Sequence, residues 1–551
     1  MRSISAKLLL CVAIVFFSCS RESSEPLWEP QSHLGSKEYN GGLFPVWIVL
    51  KEPVESVNSI SWKMGYSEIA YRTQELDAQK LITADTAFFY WNVPPPLTTK
   101  IDSVKMGEIW RIDTTYYHTD TIFAIVNGLR SEPIVIEVKN ILPRVTSLTV
   151  GGLRQAGDSV LTIAAHLGDK LEIELRLEKP FNNISPVVEM PTEIFGGNLT
   201  LKLQSDSLYS WEWIAPHEPV DDSSAFLRIK DKGGYGERLY KIHLVAYTDF
   251  SSVWAASEKE IVKYSPAGSR VVRINGDFGS ISDIAVNSNS KQLFVVDQAK
   301  NIFAVYDSYG KVIYRNDNLL KAPTSVAVDI ESNYIWVADD SGLRAFSFTG
   351  STIGAAAAVQ YEVPGLLRGL SVDQFRRNFL WFAIPERDTI GFVEYSKEPE
   401  YILNTLDEWK RPSMVSHDPT NGMAWIADSS RIVAIDTDGN FLAVIRDFGF
   451  VSAISAGGGS VWASDILTGK VYRFRGPFRG SQLDLSRTVK DGMEVGGFLA
   501  PTFISTFAED GSAWVMDRGA GMAVRVDSVG KRIASGIGLI PSIGKTIQKV
   551  E

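Results

Sequence analysis

Cysteine is almost missing: the 551 residues contain two, Cys11 and Cys19, both within the first twenty positions. The body of the chain therefore has no disulfide, no thiolate metal site and no thiol nucleophile, and its folded units must rely on full-sized apolar cores. Histidine is scarce as well, with six, at 33, 118, 166, 217, 243 and 417, and no G-x-S-x-G turn occurs. General acid–base and serine chemistry are short of their usual groups. Excess positive charge is absent too. The formal charge is −10, and loss of a leader carrying Arg2 and Lys7 but no acid leaves −12. Such a surface repels phosphate backbones, so nucleic acid is not an expected partner. What is present is the composition of a folded chain, 45% hydrophobic and 11% aromatic, and at about 150 residues per domain its length implies three or four units.

Arg2 and Lys7 precede an apolar run over residues 8–17, which ends at Ser18-Cys19 and the polar stretch Ser20-Arg21-Glu22-Ser23-Ser24-Glu25. A run this short does not cross about 30 Å of hydrocarbon at 1.5 Å per residue, and the pattern is that of a secretory leader. Phe16-Phe17-Ser18-Cys19 resembles the lipobox of bacterial lipoproteins. The resemblance implies a signal peptide at 1–18, acylation of Cys19, and a protein of the cell envelope held at the outer membrane or cell surface. Two or more acyl chains, at about 0.8 kcal/mol per buried methylene, give a stable anchor. Residues 19–39, with several Ser, Glu and Pro, read as a tether.

The C-terminal half repeats one phrase. Val253-Trp254-Ala255-Ala256-Ser257 is echoed around Phe294, Trp336, Trp381, Trp425, Trp462 and Trp514, giving seven copies separated by 40, 42, 45, 44, 37 and 52 residues. A short apolar strand lies about ten residues before most of them, as in Leu370-Ser371-Val372, Met414-Val415-Ser416 and Phe503-Ile504-Ser505. Turn glycines such as Gly268, Gly310 and Gly530 follow them, as hairpins require. A period near 40 to 45 with four short strands per unit is that of propeller blades, which bury their faces by radial stacking. The order of Pro, apolar strand, Asp, aromatic strand, Asp, turn and Gly from Pro323 to Gly350 resembles NHL repeats and virginiamycin B lyase-like propellers.

The fold class expected is all-β: a seven-bladed β-propeller over residues 244–551, preceded by two β-sandwich domains at 40–143 and 144–243. The last strands of the first sandwich are read in Thr121-Ile122-Phe123-Ala124-Ile125-Val126 and Pro133-Ile134-Val135-Ile136-Glu137-Val138, with Trp62 as its core aromatic. The second ends near Leu239-Tyr240-Lys241-Ile242-His243-Leu244. Both resemble bacterial immunoglobulin-like modules in general, the alternative being one larger β domain. The first propeller copy lacks a clear inner strand unless 244–247 supplies it, and the C-terminal segment 540–550 is either a strand added to the first blade or a frayed tail.

Chemistry-bearing candidates are few. Asp297, Asp339, Asp428, Asp465 and Asp517 each follow a blade aromatic by three residues and so mark one face of the disc. They are either acceptors for the N–H groups of their own turns or a candidate binding face for a cation or polar ligand. Tyr209, Trp211 and Trp213 alternate along one strand face, as core or as a sugar-stacking platform. The segment 538–546 imitates a phosphate loop, but its glycines are one residue too far apart. Asp436-Thr437-Asp438-Gly439-Asn440 imitates a calcium loop without the glutamate of position twelve and reads as a hairpin. Neither a metal nor another cofactor is expected. The function expected is that of a binding or scaffold module with a protein or glycan partner. The alternative is a metal-dependent lyase or hydrolase at the central funnel, for which His417 is the one histidine well inside the repeats.

Overall fold

Every repeated aromatic takes the second position, counted from the centre, in a sheet whose four successive strands run antiparallel. The computed structural model describes residues 143–548, apart from short internal breaks such as 179–185, 374–378, 403–408 and 477–484, together with the backbone of separate strands ahead of residue 143. Cys19, and the side chains of the leader and of Trp62, lie outside the described residues. Ahead of residue 143, Ile109–Val126 pairs antiparallel with Ile134–Asn140, with Ile122 opposite Ile134.

Among the described residues, seven such sheets follow one another between Val253 and Thr546. Their innermost strands are Ile543–Thr546, Ile281–Asn287, Ser325–Asp329, Arg368–Val372, Pro412–Asp418, Val451–Gly457 and Pro501–Phe507. Each packs beside the next, and the last packs beside the first, so the strands encircle an axis. This is a β-propeller. Strands buried on both faces explain the unbroken apolar runs of the second position, such as Ile335-Trp336-Val337-Ala338, in place of an alternating pattern.

The aromatics wedge the sheets apart at a fixed spacing. Trp254, Phe294, Trp336, Trp381, Trp425, Trp462 and Trp514 are all essentially inaccessible. Each belongs to a core cluster built from two neighbouring sheets: Trp336 packs with Leu380 and Phe382, Trp425 with Ile454 and Val461. Trp514 packs with Val253 and Ala255 and so joins the seventh sheet to the first. An aromatic of about 150–250 Å² fills a gap that no aliphatic side chain spans.

Ring closure uses the C-terminal segment. Ile543–Thr546 runs antiparallel to Val253–Ala256, placing Lys545 opposite Trp254 across 291 residues of chain. The segment resembling a phosphate loop is thus the closing strand. Residues 244–247 have a different partner: the strand Gly236–Tyr247 lies parallel to Leu161–His166, with Leu244 opposite Ile163.

The unit ahead of the propeller has two layers. Val145–Val150, Leu153–Ala156, Lys170–Leu177, Leu199–Gln204 and Leu208–Ile214 form one sheet, and Gly236–Tyr247 with its partners forms the other. Their shared core takes in Tyr209, Trp211 and Trp213. Trp213 meets Phe195 edge-on at 5.4 Å. The aromatic ladder is therefore core and offers no platform to a sugar.

A buried polar cluster joins this unit to the propeller. His166 places Nε2 2.9 Å from Asp249 and Nδ1 3.2 Å from Asp169. The Tyr309 hydroxyl donates to Asp169, and the His166 N–H donates to the same hydroxyl at 3.2 Å. Asp249 also takes the ammonium of Lys263, which is fully buried, and Lys263 reaches the carbonyl of Ser308 at 3.0 Å. Burial alone raises the Asp249 carboxyl. Lys263 and His166 outweigh it and hold the group well below the ordinary carboxylate range.

Candidate functional site

The five repeated aspartates converge on the strand-two turns at one end of the disc, and the structure shows what each carboxylate touches. Asp297 accepts the N–H groups of Gly279, Ser280 and Lys300 at 2.6, 3.0 and 3.0 Å. Asp465 accepts four, from Gly449, Phe450, Leu467 and Thr468, at 2.7, 3.0, 3.2 and 3.3 Å. Asp517 takes those of Leu499, Ala500 and Ala520. Asp339 takes Lys321 and Ser341, with Arg344 at 3.5 Å. Asp428 takes Lys410 and the Arg431 guanidinium at 2.7 Å. Burial raises the Asp428 carboxyl, with Arg431 opposing.

None of the five exceeds 6% exposure. Buried and hydrogen-bonded to their own loops, these carboxylates are not presented at the surface to a cation or a hydroxyl-rich ligand. The direct-contact form of the candidate binding face is corrected on that ground. What each Asp does is fasten the loop entering its sheet to the turn between that sheet's second and third strands, and the face is a candidate through those loops.

The loops of the fifth-to-first sector carry four exposed apolar side chains beside charged ones such as Asp447 and the Arg518–Glu258 pair. Phe450, Leu467, Leu499 and Ile540 are 45%, 73%, 71% and 62% exposed. They form one arc. A Cβ on Gly449 would meet that of Leu467 at 3.1 Å, and one on Gly519 would meet that of Leu499 at 2.7 Å. The N–H of Phe498 donates to Gly469 at 3.1 Å, which seats the Leu499 loop against the Leu467 turn, and Ile540 lies beside Gly521. The opposite sector bears Lys300, Asp340, Glu386, Arg387 and Arg411 on the equivalent loops. The sequence carried a signal for this arc: Leu467 follows its blade aspartate by two residues, Leu499 precedes by two the Pro501 that opens an inner strand, and Ile540 precedes Pro541 in the loop entering the closing strand.

A second site feature surrounds the axis. An inner-strand hydroxyl or carboxylate accepts an N–H from the next sheet's inner strand, from Val326 to Asp283 at 3.1 Å and Leu370 to Ser325 at 3.3 Å. The series goes on with His417 to Ser371, Ala456 to Ser416, Thr506 to Ser455 and Thr546 to Ser505, at 2.9 to 3.0 Å. Lys545 stands opposite its blade aromatic as Ser371, Ser416, Ser455 and Ser505 do, with its ammonium 5.2 Å from the Phe503 ring, whereas Asp283 and Ser325 stand two residues earlier on their strands. Burial raises the Asp283 carboxyl, and Lys545 and its hydrogen bonds oppose that. Three of these serines stand in the short apolar phrases of the repeat, where they read as filler between core residues.

His417 sits on the fifth inner strand, but its side chain is 1% exposed and its Nε2 lies 3.0 Å from Asp373 of the fourth sheet. Burial lowers its pKa, with Asp373 and Asp418 pulling the other way. The ring is enclosed between sheets and does not line the axis. Among the described residues, no cluster of three or more His, Asp or Glu is placed to hold a metal ion.

No family model and no curated protein matches the chain. Solved structures that it is similar to include virginiamycin B lyase from Staphylococcus aureus, at 14% identity over 49% of this chain and 87% of that one, with a TM-score of 0.39. A functionally unknown protein from Desulfotomaculum acetoxidans matches at 12% identity over 53% and 96%, with a TM-score of 0.44. A chain of the nidogen/laminin complex matches at 11% over 54% and 99%, with a TM-score of 0.35. The fold assignment rests on the sheets and the closing strand themselves.

Proposed function

We propose that this chain is a lipid-anchored binding module of the bacterial cell envelope, whose seven sheets are the blades of a seven-bladed propeller of the NHL or lyase-like kind. Cys19 is the anchored residue, and two immunoglobulin-like sandwiches hold the propeller away from the membrane. The observation that carries the reading is the exposed arc of Phe450, Leu467, Leu499 and Ile540 on loops fastened by buried aspartates. Rigid loops presenting contiguous apolar side chains favour a protein partner, because large exposed apolar patches are rare on surfaces that meet only water. A glycan suits the arc less well, since Phe450 is its one aromatic and sugar faces stack on rings.

The rival enzymatic reading loses its histidine to burial against Asp373. The test is capture of a partner from envelope extracts by the full chain and by a Leu467→Asp, Leu499→Asp double variant, followed by identification of what is retained. Saturable retention by the wild type, lost in a variant with an unchanged thermal melt, supports the binding face; equal retention by both removes it. In the same cells Cys19→Ala leaves the protein unacylated and releases it from membranes on fractionation. Retention with acylation intact would refute the anchor.

A further inference from the structure

Three sheets in succession, the sixth, seventh and first, carry a cation opposite the blade aromatic on the third strand: Arg473 faces Trp462, Arg525 faces Trp514 and Lys263 faces Trp254. Each reaches a carbonyl in the hairpin between the third and fourth strands of the next sheet, that of Ser528 at 2.6 Å, of Pro266 at 3.3 Å and of Ser308 at 3.0 Å. Two of the three also hold a carboxylate supplied from just ahead of their own second strand. Arg525 bonds Asp510 at 2.8 Å, and Lys263 bonds Asp249. Arg473 makes no ion pair with a described residue. The turn that holds Asp510 runs over residues 508–511, whereas the sixth sheet pairs Gly457 directly with Ser460 and leaves only Gly458 and Gly459 between them. A Cβ on Gly459 would meet nothing within 4 Å, so the shorter turn leaves open space beside it. Arg473 is 7% exposed, and its Nε is buried without a partner. Where an acid is missing, a second cation stands: Arg475, two residues on and so on the same side of the strand, donates to the same Ser528 carbonyl at 3.1 Å. Burial lowers the Arg473 pKa and Arg475 lowers it further, while Asp510, which opposes them, is already held by Arg525. Water at the rim satisfies donors, but it does not supply the charge that a buried guanidinium ordinarily keeps beside it.

We propose that Arg473 and Arg475 form a binding site for an external carboxylate, which does for the sixth sheet what Asp510 and Asp249 do for the seventh and the first. Two guanidiniums side by side offer donors to both oxygens of one planar group, which scattered surface cations do not. The source of that group is either a small acid or an acidic side chain of a partner. The site lies at the end of the sixth sheet where Ser460 pairs with Arg475, away from Leu467 at the other end. The inference therefore stands apart from the apolar arc and does not rest on the proposed partner-binding reading.

The experiment is calorimetric titration of the full chain with acetate, with a tetraglutamate peptide and with inorganic phosphate at constant ionic strength. Sodium chloride serves as the control. Saturable binding of one carboxylate ligand per chain is expected. Equal affinity for acetate and the peptide marks a small acid as the source, and a tighter peptide marks an acidic segment of a partner. Arg475→Gln, at an exposed position, should weaken binding by at least about tenfold, the loss appropriate to one charge-assisted contact. Arg473→Gln should abolish it, and Arg475→Gln decides the matter if that variant fails to fold. Absence of saturable carboxylate binding in the wild type would mean that water alone meets the two guanidiniums. Phosphate bound more tightly than either carboxylate would give the site to another class of anion. Unchanged affinity in Arg475→Gln would place the carboxylate elsewhere. Each of these results overturns the proposal.

Discussion

Replacing Asp465 by Ala separates a fastening role from any ligand-binding role for the repeated carboxylates. The side chain is 1% exposed and accepts four backbone N–H groups, those of Gly449 and Phe450 entering the sixth sheet and those of Leu467 and Thr468 in its turn. A typical net hydrogen bond contributes about 0.5–1.5 kcal/mol, and bonds to a charged acceptor contribute more. The four donors belong to surface loops, however, so water entering the vacated space satisfies part of the loss. The two effects together give a cost of about 2–4 kcal/mol for Asp465→Ala. Asp465→Asn should cost about half as much, because its remaining oxygen still serves the Phe450, Leu467 and Thr468 donors while its amide opposes that of Gly449. Urea melts of the full chain, followed by the fluorescence of the buried tryptophans, read both variants. A variant Asp465→Ala as stable as wild type, within about 0.5 kcal/mol, would refute the reasoning.

Other perturbations test the parts separately. Trp336→Ala or Trp425→Ala removes a fully buried ring from between two sheets and should cost about 3–5 kcal/mol in the same melts; unaffected stability would mean the rings do not hold the sheets. At the junction, Asp249→Asn leaves the buried Lys263 without its counter-charge and should cost about 3–5 kcal/mol at neutral pH. The Asp249 carboxyl is held below its ordinary value of 3.8 in the folded chain, so its stabilisation is complete above that value and is lost as pH falls below it. The gap between wild type and Asp249→Asn should therefore hold above about pH 4 and narrow progressively as pH falls further below 3.8. A constant gap would show that the carboxylate does not titrate as the Lys263 and His166 contacts require.

Much of the propeller is legible in the sequence because its physics recurs. A strand buried on both faces must be an unbroken apolar run, and a wedge between sheets must be large, so an aromatic returns at each blade spacing. The turn aspartates recur for an equally local reason, since each serves donors close to it in its own sheet. The inner strand of the first sheet is different. Ile543–Thr546 carries Gly544 and Lys545, lacks the aromatic phrase, and acquires its role only by pairing with Val253–Ala256 far away in the chain. The junction was illegible for a related reason: His166, Lys263 and Asp249 read one by one as solvated residues, and only the folded chain brings them into mutual contact out of water. The candidate site was half visible. The face came from the aspartates, but their burial and the exposed arc depend on which loops become neighbours.

The closing strand sets an order of events for a chain made from its N-terminus. When residue 274 has left the ribosome, the first sheet has three of its strands and an open inner edge. That edge stays open through the whole of the next six sheets. Closing so long a loop adds only a slowly growing entropy term, but it makes the fold one of distant contacts, which form late. The unfinished edge is the surface that must be kept from pairing with another chain until the ring is sealed. Deletion of the last ten residues would turn a closed disc into an open strip, with the first and seventh sheets parted at Trp514.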